Sequence, residues 1–300
     1  MSNRLYLRCS CQVILHKPDF DLINNEKARK DYSFLVSKGG QSIKIKLLKD
    51  GKSIEAESVI DGIQTDIVRI LKVNDYDDLK DEEKEKLHEL TNPMRDAVRQ
   101  LVGLLKQQLN RYMISDDLIG NLRFEWSLVD NKWHPIPRGL KIFGDVSSFG
   151  NLNDRNAETI QRLLSENEDA LISIGFLHEA INSPNRRYKW IYATIAAELA
   201  IKEIIARIEP KLQVILTTLP SPPVNRLYGA VLESVAGVKS EGLGELQRGA
   251  EIRNQLLHSP EGKVPSLDEV HEYIHFIEGR INWILNEWRK IKREKMINSQ

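Results

Sequence analysis

The apolar residues of this 300-residue chain change period part-way along it, and that change constrains the fold more than any single motif does. Near the start they alternate. RLYLRCSCQVIL from Arg4, DYSFLVS from Asp31, QSIKIKLL from Gln41 and SIEAESVI from Ser53 are rich in strand-forming residues, and the breaks between them carry turn residues: KPDFD from Lys17, KGG from Lys38 and Asp50-Gly51. Asp50-Gly51 predicts a hairpin between the last two strands. A helix is expected over DEEKEKLHELTNPMRDAVRQLVGLLKQQLNRY, where Leu101, Leu104, Leu105 and Leu109 keep helical spacing and Pro93 marks an entry or a kink. LRFEWSLV and KWHPIP then flank Asp130-Asn131 as a second hairpin, with Trp126 and Trp133 supplying large apolar area. The Gly-, Ser- and Asn-rich stretch from Gly144 to Asn156 reads as a linker.

Beyond it the apolar spacing is three and four. ETIQRLLSENEDALISIGFLHEAI, RYKWIYATIAAELAIKEIIARIEP, VNRLYGAVLESVAG, LGELQRGAEIRNQLLHSP and LDEVHEYIHFIEGRINWILNEWRKIKRE are separated by short Pro- or Gly-bearing breaks, the pattern of an antiparallel helical bundle. In the last segment Leu267, Val270, Ile274, Ile277, Ile281, Ile284 and Trp288 form one stripe, and Ser266 with Glu269 makes a capping box. The expectation is an α+β domain over residues 1–150 followed by an all-α domain over 151–300.

Acidic and basic residues balance at 43 each, so the whole-molecule charge points to neither a nucleic-acid binder nor a membrane binder, and any anion site must be local. No run of about 18 apolar residues occurs and the start lacks the order of a signal peptide, so a cytoplasmic protein is expected. Cys9 and Cys11 lie two apart on one face of a predicted strand, which suits neither a disulfide framework nor a four-ligand zinc site.

Two charges fall where apolar side chains are expected. On LGELQRGAEIRNQLLH a helical wheel puts Leu246, Ala250, Ile252, Leu256 and Leu257 on one face with Arg253 near its middle. On RRYKWIYATIAAELAIKEIIARI the stripe of Ile191, Ile195, Leu199, Ile201, Ile205 and Ile208 has Glu198 near its centre. Two opposite charges on two core helices suggest a site. Two pairings stay open: Glu198 with Arg253 across the helices, or Glu198 with Lys202 one turn along the same helix.

The segment around Arg253 ends Arg253-Asn254-Gln255-Leu256-Leu257-His258, with Pro260 and Gly262 stopping the helix so that the imidazole sits at a helix C-terminus. Here the chain resembles the HEPN superfamily, helical bundles of which many are ribonucleases carrying Arg, then Asn, Asp or His, and then His a few residues on, late in the third core helix. The resemblance covers roughly residues 155–290. It makes ATIAAELAIKE the first core helix, with Glu198 where an acidic residue often stands. It implies a HEPN-like bundle, RNA as partner, a homodimer with a composite active site, no cofactor, and a place in prokaryotic antiviral defence or a toxin system, with the N-terminal domain as sensor or regulator. Cleaving RNA without a metal requires a base for the 2′-hydroxyl proton, an acid for the leaving oxygen and cationic stabilisation of the phosphorane. His258 supplies the base or acid, Arg253 the two-pronged phosphate clamp and Asn254 an orienting amide, leaving a 2′,3′-cyclic phosphate.

A non-catalytic HEPN-like module that holds nucleotides or protein through the same groove is the alternative. A second is a zinc metallopeptidase, because His271-Glu272-Tyr273-Ile274-His275 matches HExxH. Against it, the apolar stripe runs on past Trp288 with no turn to return a third ligand, and both histidines lie toward the polar side. The basic run from Arg289 to Lys295 reads as a solvated helix end, and Trp126, Trp133 and Tyr188 as packing residues rather than base-stacking platforms.

Overall fold

The computed structural model describes residues 4–15, 30–112, 114, 122–128, 132–137, 145–146, 149, 152–218, 222–259 and 263–298. The chain divides into two compact units, Met1–Ala170 and Leu171–Gln300.

The first unit is built on an antiparallel six-stranded sheet ordered β3-β4-β5-β1-β6-β7. Its strands are β1 (Arg4–Gln12), β3 (Tyr32–Lys38), β4 (Gln41–Leu47), β5 (Ser53–Asp61), β6 (Arg123–Ser127) and β7 (His134–Pro135), while β2 (Ile14–Leu15) pairs separately with β8 (Asp145–Val146). Period-2 alternation sorts the faces. One row across the sheet is Phe34, Ile45, Ala56, Cys9 and Phe124, all buried. The adjacent row is Leu35, Lys44, Glu57, Arg8 and Glu125, where opposite charges face one another on neighbouring strands and the face stays solvated.

The expected hairpins are present, and the turn between β4 and β5 explains the register of that pair. Asp50 Oδ1 accepts from the amides of Lys52 and Ser53, both at 2.8 Å, and Gly51 takes φ +68°, which only glycine adopts freely. β6 pairs with β7, although the Asp130-Asn131 turn lies outside the described residues, as do KPDFD, Pro260 and Gly262.

The helices α1 (Thr65–Leu71), α2 (Asp81–Leu109) and α3 (Asp154–Ser165) complete this unit. Pro93 lies inside α2 rather than at its entry, and the face bearing Met94, Val98, Leu101 and Leu105 is fully buried. Cys9 and Cys11 are buried on the inner sheet face in no disulfide, and burial pushes the Cys11 thiol up to about 12. Trp126 is buried, whereas Trp133 sits half-buried with its ring 4.3 Å below the Arg8 guanidinium.

The division falls after Ala170, not at 150. Ile160, Leu163 and Leu164 of α3 join the core of the first unit, and Gln161 offers its amide to the free edge of β3, accepting from Leu35 N at 2.8 Å and donating to Leu35 O at 3.0 Å. The stretch expected as a linker is anchored where it is described: Phe149 and Leu152 are buried, and Tyr32 Oη donates to Leu152 O. A few apolar residues among Gly, Ser and Asn are a weak composition signal, yet Phe149 and Leu152 each remove a full side chain from water.

The second unit is helical: α4 (Ile172–Asn182), α5 (Arg186–Ile208), α6 (Leu212–Thr218), α7 (Val224–Arg226), a π turn over Leu227–Val231, α8 (Leu232–Ala236), α9 (Leu243–His258) and α10 (Leu267–Asn298). The segment expected as one helix from Glu158 to Ile181 is thus two, α3 and α4, in different units. Helix α5 runs through the middle, against α4, α6, α9 and α10. Its N-terminal basic residues satisfy carbonyls at the ends of α4 and α9 and one that precedes α10. Lys189 Nζ donates to Ile181 O at the end of α4, Arg187 Nη1 to Leu256 O at 2.9 Å and Ser259 O at 3.4 Å at the end of α9, and Arg186 Nη1 to Pro265 O at 3.3 Å. At the opposite pole Glu203 accepts the first amides of α4, Ile172 N at 2.8 Å and Ser173 N at 3.0 Å. The capping box is formed, with Ser266 N donating to Glu269 Oε2 at 2.8 Å and Glu269 N to Ser266 Oγ at 3.3 Å. Among the described residues no helix is long and apolar enough to cross a membrane.

Candidate functional site

At Gly249 the Tyr273 side chain of α10 lies against the backbone of α9. A Cβ there would overlap the hydroxyl and ring of Tyr273, so only glycine admits that approach. Three side chains fix the contact. The Tyr273 ring stacks on Trp190 at 4.0 Å between centroids and 12° between planes, Trp190 Nε1 donates to Gly249 O at 3.0 Å, and the Tyr273 and Thr194 hydroxyls are bonded at 3.0 Å. Burial pushes the Tyr273 phenol up to about 12, so it is neutral at physiological pH.

One turn after Gly249 comes Arg253, and the question left open by the sequence resolves as both pairings at once. Glu198 Oε2 accepts from Arg253 Nη2 at 3.1 Å, and Glu198 Oε1 accepts from Lys202 Nζ at 2.6 Å. None of the three is fully buried: Arg253 is 25 %, Glu198 24 % and Lys202 21 % exposed. The stripes drawn from the sequence were centred too near these charges. On α5 the buried residues are Trp190, Ile191, Ala193, Thr194, Ala196, Ala197, Ala200, Ile201, Ile204, Ile205 and Ile208, so four of the six stripe residues are buried as expected, while Ile195 and Leu199 are half-buried on the outer side. On α9 it is Leu246, Gly249 and Leu256, and Leu257 is exposed. Close packing here runs through Ala and Gly, which weigh little in a hydrophobic count but let neighbouring backbones approach.

Asn254 and His258 stand apart from this trio. Both are exposed, and no hydrogen bond or ion pair joins either side chain to another of the described residues. His258 is the last residue of α9, and the carbonyls around it are served by Arg187. Five residues at roughly 100° each turn His258 about 140° away from Arg253 around the helix. One copy therefore assembles Arg253, Glu198 and Lys202 but does not bring His258 to them.

The HExxH string lies on α10 with His271, Glu272 and His275 exposed, and His275 Nδ1 is 3.9 Å from Glu278 Oε2. Among the described residues no group of three or more His, Cys, Asp or Glu could hold a metal ion.

Trp190, Thr194, Gly249, Tyr273 and Arg187 escaped the sequence reading as supports of this region. The available signal was the i, i+4 series Trp190, Thr194, Glu198, Lys202, an aromatic and three polar residues on one line of the helix. A scan against protein-family models, a search of curated proteins and a search of solved structures each return no match.

Proposed function

We propose that the Leu171–Gln300 unit is a HEPN-like bundle acting as a metal-independent endoribonuclease. The observation that carries this reading is α9 itself: an arginine held by a carboxylate of the neighbouring core helix, followed by an asparagine and a terminal histidine whose side chains are exposed and unengaged. In the proposed reaction His258 takes the proton from a ribose 2′-hydroxyl as its oxygen attacks the adjacent phosphorus. Arg253 donates to the phosphoryl oxygens as charge builds on them. The bond to the 5′-oxygen breaks, that oxygen receives a proton from a second imidazole, and a 2′,3′-cyclic phosphate remains. Because Arg253 and His258 of one chain diverge, the reading calls for a homodimer in which one copy's His258 meets the other's Arg253.

His258→Ala is expected to abolish cleavage of mixed RNA while leaving the melting profile unchanged, and Arg253→Ala to reduce cleavage by about a hundredfold or more, as loss of an oxyanion donor does. Full cleavage by the His258→Ala protein rejects the assignment.

A binding module without catalysis is the second reading, favoured by the same divergence and by Arg253 already having its carboxylate. It expects RNA or nucleotide retention sensitive to Arg253→Ala with no fragments at any protein concentration.

A further inference from the structure

Glu198 gives its two oxygens to two different cations, Oε2 to Arg253 and Oε1 to Lys202. With Arg253 alone the carboxylate would make a neutral pair. With Lys202 the trio carries one net positive charge, the complement of one phosphodiester.

We propose that Lys202 is a positioning residue that makes Arg253 available to RNA: when a phosphate takes the guanidinium, the Glu198 carboxylate remains on the Lys202 ammonium. The inference rests on the phosphate-binding role given to Arg253 above. Without Lys202, phosphate binding would strand a partly enclosed carboxylate beside the incoming anion, which is doubly unfavourable. Lys202 lies one turn beyond Glu198 on the same helix, so it stays with the carboxylate through side-chain rotation alone. The guanidinium has donors to spare, because its bond to Glu198 engages Nη2 and a guanidinium carries five N–H donors. At 21–25 % exposure the three groups are enclosed enough for charge balance to matter and open enough to reach a ligand.

A purely structural trio and an availability device give different mutant patterns. If the trio only holds α5 to α9, removing either Glu198 or Lys202 weakens the fold and can only weaken binding. If Lys202 acts through Glu198, the two substitutions have opposite signs and the second cancels the first.

The test is a mutant cycle on the full chain: binding of a fluorescently labelled single-stranded RNA, read by anisotropy in the presence of chelator, for the parent protein and for Lys202→Gln, Glu198→Gln and the double variant, each with its melting temperature. All four carry His258→Ala so that the probe stays intact. Lys202→Gln is expected to weaken binding about fivefold or more. Glu198→Gln should bind at least as tightly as its parent, and the double variant within about twofold of Glu198→Gln. Unchanged binding by Lys202→Gln overturns the proposal, as does a double variant no tighter than Lys202→Gln, because Lys202 would then touch the RNA directly or serve the fold alone. Cleavage that persists in the His258→Ala parent rejects the nuclease reading while the binding pattern still decides the role of Lys202.

Discussion

Gly249 and Tyr273 set the position of Arg253, and they set it by shape. The missing Cβ lets the Tyr273 ring lie against the α9 backbone, and the Trp190 stack and the Thr194 hydrogen bond fix that ring. Gly249→Ala is expected to lower stability by about 1–3 kcal/mol in thermal or denaturant unfolding, the usual effect of overfilling a packed contact. A variant as stable as the parent would show that the approach is not tight in solution. The Arg253–Glu198 pair was legible from the sequence because charges stand out against an apolar background. The glycine was not, since its function is the absence of atoms, and Tyr273 stood inside a string that drew notice for its histidines.

Among elements, α5 organises the second unit by closing the ends of its neighbours, with cations at the C-termini of α4 and α9 and a carboxylate at the N-terminus of α4. The carboxylate has a pH consequence. Burial, partly offset by the two amides it accepts from, raises the Glu203 carboxyl above its ordinary value of 4.5. The folded state therefore binds this proton more readily than the unfolded state. Its contribution to stability is fully present below about 4.5 and is lost as pH rises through the folded value. Glu203→Gln keeps an oxygen acceptor but cannot ionise, so its unfolding midpoint should fall less steeply than the parent's as pH rises from 4.5. Identical slopes would show that Glu203 does not titrate differently on folding. Element type was readable from period, whereas the placement of α3 was not: its apolar stripe Ile160, Leu163, Leu164 states that the helix packs, not against which core.

For the whole molecule, the boundary after Ala170 has a direct consequence. A fragment ending at residue 150 lacks Leu152, Ile160, Leu163 and Leu164, all buried in the first unit. At about 2 kcal/mol for each buried side chain this loss approaches the entire stability of a typical domain. Residues 1–170 should show cooperative unfolding by circular dichroism and residues 1–150 should not; cooperative folding of the shorter piece would contradict the assignment of α3. The complementary fragment, residues 171–300, tests the proposed sensing role of the first unit: RNA cleavage should rise when that unit is removed, and unchanged cleavage would argue against regulation. The change of period announced two units, but the divergence of Arg253 from His258 emerges only from the helix geometry, and it makes a second copy central to the proposed chemistry. The most direct measurement is the chemistry of the RNA ends left by the wild-type protein in excess chelator. The account expects 2′,3′-cyclic phosphates that disappear with His258→Ala; cleavage that stops with the chelator, or products ending in a 3′-hydroxyl, would contradict it.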